Sequence, residues 1–262
     1  MKTARKAIQL LRQFSRGEPE LGVSELARRL DMDRAGVHRL LRAMLDERFV
    51  EQNPETRRYR LGLGVLDVAS VRIGQHGLQN IAPPHLERLR DETGETVAMV
   101  VADRHEAVCL AVVESRHVVR VGYDIGERMP LHATAGGQVL LAYAAEADRR
   151  AVYAAGLKRY TAHTLTDAVA LEDRLARIRA EGAGWAEESY FEGIIGAAAP
   201  ILDPKQRVAA VVTLGAPIQR CGVSELPRLG AAVRRAADAI AAEWSGLSLG
   251  SQRLALAPAP QA

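Results

Sequence analysis

The sequence predicts an α+β protein: a small winged helix-turn-helix head, a linker helix, and a larger body in which helices pack on an antiparallel sheet. Three observations predict it. The stretch VSELARRLDMDRAGVHRLLRAMLDERFV, residues 23–50, carries helical apolar spacing on both sides of a short polar corner. Residues 48–62, RFVEQNPETRRYRLG, alternate around an Asn-Pro-Glu turn and so read as a two-stranded hairpin. Beyond residue 83, Val-rich runs of strand length alternate with helical stretches.

In chain order, Ala4, Ala7, Ile8, Leu11 and Phe14 give residues 3–15 one apolar face, closed by Gly17 and Pro19. Ser24 is the expected N-cap of a second helix, in which Leu26 and Leu30 point inward. Asp31 occupies a corner that needs left-handed backbone, which Asp tolerates better than most residues. Asp33 is then expected to cap a third helix, with Val37, Leu40, Leu41, Met44 and Leu45 as its buried stripe. Residues 63–82 read as a linker helix closed by Pro83-Pro84, with a separate helix from His85 to Thr93. Strands are expected at 96–102, 107–114, 118–123, 194–201 and 207–214. Helices are expected from about 134, at 147–155 and 171–181, and over 225–245. The predicted domains are therefore 1–62, the linker 63–82, a body over 83–248, and a frayed tail over 249–262.

Charge separates the two parts. Residues 1–62 hold 14 Lys/Arg against 9 Asp/Glu, and the remainder 21 against 23, so only the head is suited to a polyanion. Cys109 and Cys221 lie far apart without Cys-x-x-Cys spacing, which excludes a disulfide framework and a zinc ribbon. No apolar run reaches the roughly 18 residues of a membrane span, and no secretory leader is legible. The expectation is a cytoplasmic protein without a membrane partner.

The third helix is where base reading is expected, because the major groove admits one helix and its exposed side chains reach base edges. Arg34 and His38 are the candidates for base contact, with Ala35 and Gly36 beside them. Arg39, Arg42, Arg57 and Arg58 are candidates for phosphate contact, and Ser24 belongs with the same DNA-facing set. Against this stands the reading of a merely solvated basic face. Gly36 costs roughly 1 kcal/mol of helix propensity relative to Ala, and close approach of the backbone to DNA is one reason to keep it.

With these parts in order, the chain resembles the IclR family of bacterial transcriptional regulators over residues 3–246. The resemblance rests on the helix-turn-helix stretch above and on YRLGLGVLDVAS, PHLERLRDETGETVAMVV, MPLHATAGGQVLLAY, RYTAHTLTD, LARIRAEGAGWAEE, EGIIGAAAPILD and VAAVVTLGAP. It implies a GAF-like effector domain for the body, a homodimer or homotetramer, double-stranded operator DNA as partner, and a small-molecule effector. It also places Ala135 and Gly136 at backbone positions facing an effector carboxylate, in keeping with the anion affinity of a helix start.

Departures from the family pattern bear on the ligand. Gly196 stands where many relatives have Cys, Val212 and Leu214 where acid-binding relatives carry two serines, and Ala35-Gly36 where many have Ser-Thr. An apolar lining disfavours small polar acids and suits an effector with an apolar or aromatic body. Glu187 and Glu188 both compete for an acidic pocket position, and Tyr190 and Phe191 are either aromatic walls or core plugs. No catalytic residue, metal site or cofactor is expected, since no G-x-S-x-G elbow, Walker loop or H-E-x-x-H spacing occurs. The rival readings are a ligand-independent DNA-binding repressor with a closed cavity and an enzyme carrying a DNA-binding head.

Overall fold

The computed structural model describes residues 2–15, 17–74 and 77–254. The chain divides into two compact units, residues 1–76 and 77–262.

In the first unit, α1 (Lys2–Leu11), α2 (Val23–Leu30) and α3 (Arg34–Asp46) precede a hairpin of β1 (Val50–Gln52) and β2 (Tyr59–Leu61). Leu10, Leu21, Leu26, Val37, Leu41, Val50 and Tyr59 form its buried core. The first helix ends at Leu11 rather than residue 15, and its inward stripe runs through Leu10 while Ile8 is 56% exposed. Helix α2 is capped by Gly22, so Ser24 lies inside its first turn and is not the N-cap. Asp31 takes the left-handed conformation at the end of α2, with φ 48° and ψ 57°. Helix α4 (Gly64–Gly74), in the stretch read as a linker, falls in the first unit.

The second unit opens with α5 (Leu78–Thr93), which runs through Pro83 and Pro84 instead of starting after them. The break in the expected single linker helix comes earlier, where Gly77 has φ 62°; residues 75–76 lie outside the described residues. Strands β3 (Thr96–Asp103), β4 (Glu106–Val113) and β5 (Arg128–Pro130) follow, then helices α6 (Ala135–Ala142), α7 (Glu146–Ala154) and α8 (Ala168–Glu181). After β6 (Gly184–Glu187), β7 (Ile194–Leu202) and β8 (Val208–Pro217), a short 3-10 turn leads into α9 (Leu226–Leu254). The helix therefore continues six residues into the stretch read as a frayed tail, of which 255–262 lies outside the described residues.

The six strands form one antiparallel sheet in the order β5-β4-β3-β8-β7-β6. No strand forms at 118–123; that segment is irregular. Period-two alternation divides each central strand between two cores. Val97, Met99, Ala197, Val212 and Leu214 pack against α5 and α9. Ala98, Val100, Ala198 and Val211 face α6 and α8. Helix α6 is buried on every side, as expected of a helix sandwiched between a sheet and an outer layer.

Candidate functional site

The exposed face of α3 is the first candidate. Asp33 caps this helix by accepting a 2.6 Å hydrogen bond from the Gly36 amide. With Val37, Leu41 and Met44 turned into the core, the side chains of Arg34, Ala35, His38, Arg39 and Arg42 are exposed. Residues 34, 38 and 42 follow one another at four-residue spacing, with 35 and 39 alongside, so the basic residues share one outward face. Gly36 is different. It is buried, and a β-carbon there would meet Asp33 Oδ2 at 3.0 Å and Met32 Cε at 3.3 Å. Its small size serves the helix cap, which corrects the expectation of close approach to DNA.

The hairpin turn is built by Asn53, whose Oδ1 accepts from the amides of Glu55 and Thr56 at 3.0 and 3.2 Å. Arg57, with φ 57°, stands exposed and makes no ion pair with the described residues. Arg58 does not share its role. Its guanidinium donates to the Glu20 carbonyl through Nε and Nη2, at 3.2 and 2.9 Å, and to Glu25 Oε2 at 3.0 Å. Arg29 bridges Glu25 and Glu18, each at 2.6 Å, and the hydrogen bond to Glu18 leads the causes that hold its guanidinium above its ordinary value. Arg58 is thus a strut between wing and α2, which corrects its reading as a free phosphate contact.

The second candidate is an open-mouthed cavity of the second unit. Its floor is the start of α6. Thr134 caps that helix, accepting from the Gly137 amide at 3.1 Å, while the amides of Ala135 and Gly136 have no hydrogen-bond partner among the described residues. Close packing explains the Gly-Gly pair. A β-carbon on Gly137 would lie 2.6 Å from the Leu131 carbonyl oxygen, and one on Gly136 3.1 Å from Val100. Gly196 also faces the cavity, and a β-carbon there would meet that of Ala135 at 3.3 Å.

On β8 the register differs from the expectation by one residue. Val212 and Leu214 turn their side chains into the α5/α9 core, so Val212 does not line the cavity. Leu214 borders it, its carbonyl oxygen lying 3.2 Å from where a β-carbon on Gly196 would sit. The lining side chain is Thr213, which donates to the Ala197 carbonyl at 3.3 Å. The cavity is therefore not free of hydroxyls.

Neither Glu187 nor Glu188 lines it. Glu187 is exposed on the edge strand β6. Glu188 has φ 44°, and its Oε1 accepts from the Gly193 amide at 2.5 Å. The lining carboxylate is Glu127, which accepts from the Asp124 amide at 3.0 Å. Sequence reading missed it because it sits in a Gly-containing turn just before the MPLHATAGGQVLLAY stretch, and nothing in that turn's local pattern shows which way its carboxylate faces.

Tyr190 and Phe191 both line the cavity, and Phe191 is 54% exposed, so it is no core plug. Tyr190 packs edge-on to Tyr160, ring centres 4.8 Å apart. Val121, Gly122 and Tyr123 add a wall from the irregular segment after β4. Burial pushes the Tyr123 phenol far up, so it stays protonated and able to donate. Among the described residues no group of His, Cys, Asp and Glu could hold a metal ion. No helix there is long and apolar enough to cross a membrane.

Comparison with known proteins supplies a context for both candidates. Residues 3–54 match the family described as IclR helix-turn-helix domain, and residues 71–242 the one described as bacterial transcriptional regulator IclR C-terminal. The transcriptional repressor IclR of Escherichia coli K12 is 30% identical over 245 residues, covering 92% of this chain and 89% of that protein. The crystal structure of a putative IclR transcriptional regulator from Silicibacter sp. TM1040 is 30% identical, with a TM-score of 0.77 and coverage of 93% and 96%. An IclR homologue from Microbacterium hydrocarbonoxydans, complexed with 4-hydroxybenzoate, shares the fold with a TM-score of 0.82 at 24% identity, covering 93% of this chain and 99% of its own. With both domains matched in order and a relative of this identity aligned over nine-tenths of its length, the chain belongs to the IclR family: it is a helix-turn-helix transcriptional regulator with an effector-binding C-terminal domain.

Proposed function

We propose that this regulator reads its operator as a homodimer, or as a tetramer built from two such pairs, and that its effector is a monoanionic acid with an apolar or aromatic body. Each α3 enters a major groove, with Arg34 and His38 at base edges, Ala35 against them, and Arg39, Arg42 and Arg57 on phosphates. Ser24, exposed in the first turn of α2, contributes a phosphate hydrogen bond.

One observation carries the effector reading. Two amides at the start of α6, those of Ala135 and Gly136, have no partner among the described residues and border a cavity walled by Val100, Met129, Val121, Tyr190 and Phe191. A helix start with free N–H groups favours a carboxylate, and the walls favour an apolar body beyond it. The homologue complexed with 4-hydroxybenzoate supports an aromatic acid. For such a ligand to regulate, it must bind the DNA-competent and DNA-incompetent arrangements with different affinity.

The test is a thermal-shift screen of the full chain with aromatic and branched aliphatic acids, followed by operator binding with and without each stabilising acid. A ligand at 100 times its Kd adds about 2.7 kcal/mol of stability. No shift with any acid would favour the rival reading, a constitutive DNA binder.

A further inference from the structure

The cavity lining contains a buried polar group with nothing to pair it. Ser189 is 5% exposed, and its Oγ has no hydrogen-bond partner among the described residues. The backbone of the segment is held in place while the hydroxyl itself is left to turn. Thr164 Oγ1 donates to the Ser189 carbonyl at 2.7 Å, and Thr161 Oγ1 to the Glu188 carbonyl at 2.6 Å. Glu188 keeps its left-handed backbone with its carboxylate closed onto the Gly193 amide at 2.5 Å. An unsatisfied buried hydroxyl is costly, and proteins retain such groups where something else completes them.

We infer that Ser189 reads a second hydrogen-bonding group on the effector, separate from the acid at the start of α6. The inference rests on the effector reading above. A hydrocarbon in contact with Ser189 would leave its hydroxyl unpaired, whereas a hydroxyl, carbonyl or amide would satisfy it. The Glu127 carboxylate in the same lining disfavours a second anion. The second group is therefore neutral, and the ligand class is a monoacid bearing a neutral polar substituent away from its carboxylate. Specificity of this kind is strong because a site built around a polar contact penalises the analogue that lacks it.

The test is calorimetric titration of the full chain and its Ser189→Ala variant with benzoate, the three hydroxybenzoate isomers and terephthalate. At least one hydroxybenzoate is expected to bind the natural chain about tenfold more tightly than benzoate, with terephthalate weaker than both. In Ser189→Ala that advantage disappears while benzoate binding is unchanged. The melting temperature without ligand stays equal or rises, since no internal hydrogen bond is lost. If benzoate binds and hydroxylation brings no gain, or if Ser189→Ala weakens both acids alike, the inference fails and the effector reading stands. If none of the acids binds, the aromatic form of the effector reading fails and takes the inference with it. A fall of several degrees in the unliganded variant would give Ser189 a structural partner and overturn the inference independently of any ligand.

Discussion

A β-carbon on Gly62 would sit 2.3 Å from the carbonyl oxygen of Arg48, and one on Gly64 2.9 Å from the same atom. The amides explain the approach: Gly62 N–H donates to the Phe49 carbonyl and Gly64 N–H to the Arg48 carbonyl, each at 2.9 Å. The turn between α3 and β1 and the start of α4 are thereby joined through backbone, which does not yield as a side chain would. Helix α4 is tied to the turn that follows α3, within one unit.

That contact makes Gly62→Ala destabilising by about 1–3 kcal/mol, as for overpacking in general. Thermal unfolding should register the loss, and operator affinity should fall with it. Gly17→Ala is the control, since nothing lies within 4 Å of its added carbon; it should leave both unchanged.

Arg34→Ala with His38→Ala should abolish specific footprinting while the folded state survives, because both side chains are exposed and outside the head's core. Residual binding should be non-specific and salt-dependent. An unchanged footprint would remove α3 from the reading role.

Neighbouring arginines of the wing should separate. Arg57→Ala should reduce the slope of log affinity against log salt by about 0.9, the signature of one lost phosphate contact. Arg58→Ala should leave that slope alone and cost the head about 1 kcal/mol of stability, because its hydrogen bonds go to Glu20 and Glu25. Salt-dependent anisotropy titrations and thermal melts of both variants distinguish the two roles.

The faces of β8 predict a second separation. Leu214→Ala should cost about 2–5 kcal/mol, as a truncation in a fully buried core does, with little change in effector Kd. Thr213→Val keeps the volume and removes a cavity hydroxyl, so its effect should fall on effector affinity, by about tenfold or less.

At low pH, Glu172 should report on the α7–α8 contact. Burial alone would raise its carboxyl, but hydrogen bonds from Arg149 and Tyr153, both 2.7 Å, outweigh that and hold it below its ordinary 4.5. Its contribution to stability is complete above the unfolded value and is lost as pH falls through the lower folded value. Chemical denaturation of Glu172→Gln below about pH 4.5 should show a flatter acid limb than the parent.

What the sequence determined by itself was whatever depends on local pattern. Period and capping residues were enough for α3, with Asp33 as its cap and Asp31 at the corner, because both act within one turn of the chain. The basic outward face of α3 followed from the same period, and four of the body's strands, β3, β4, β7 and β8, from Val-rich or apolar runs of strand length. The tertiary structure decided what depends on distant partners. Arg57 and Arg58 look alike in sequence and differ because Glu20 and Glu25 come within reach of one guanidinium. The face of β8 was assigned one residue out because both faces of a doubly covered strand are apolar, so alternation carries no sign of which side holds the cavity. Glu127 and Ser189 come from separate loops brought to one cavity by the sheet and its flanking turns. No local spacing encodes that meeting.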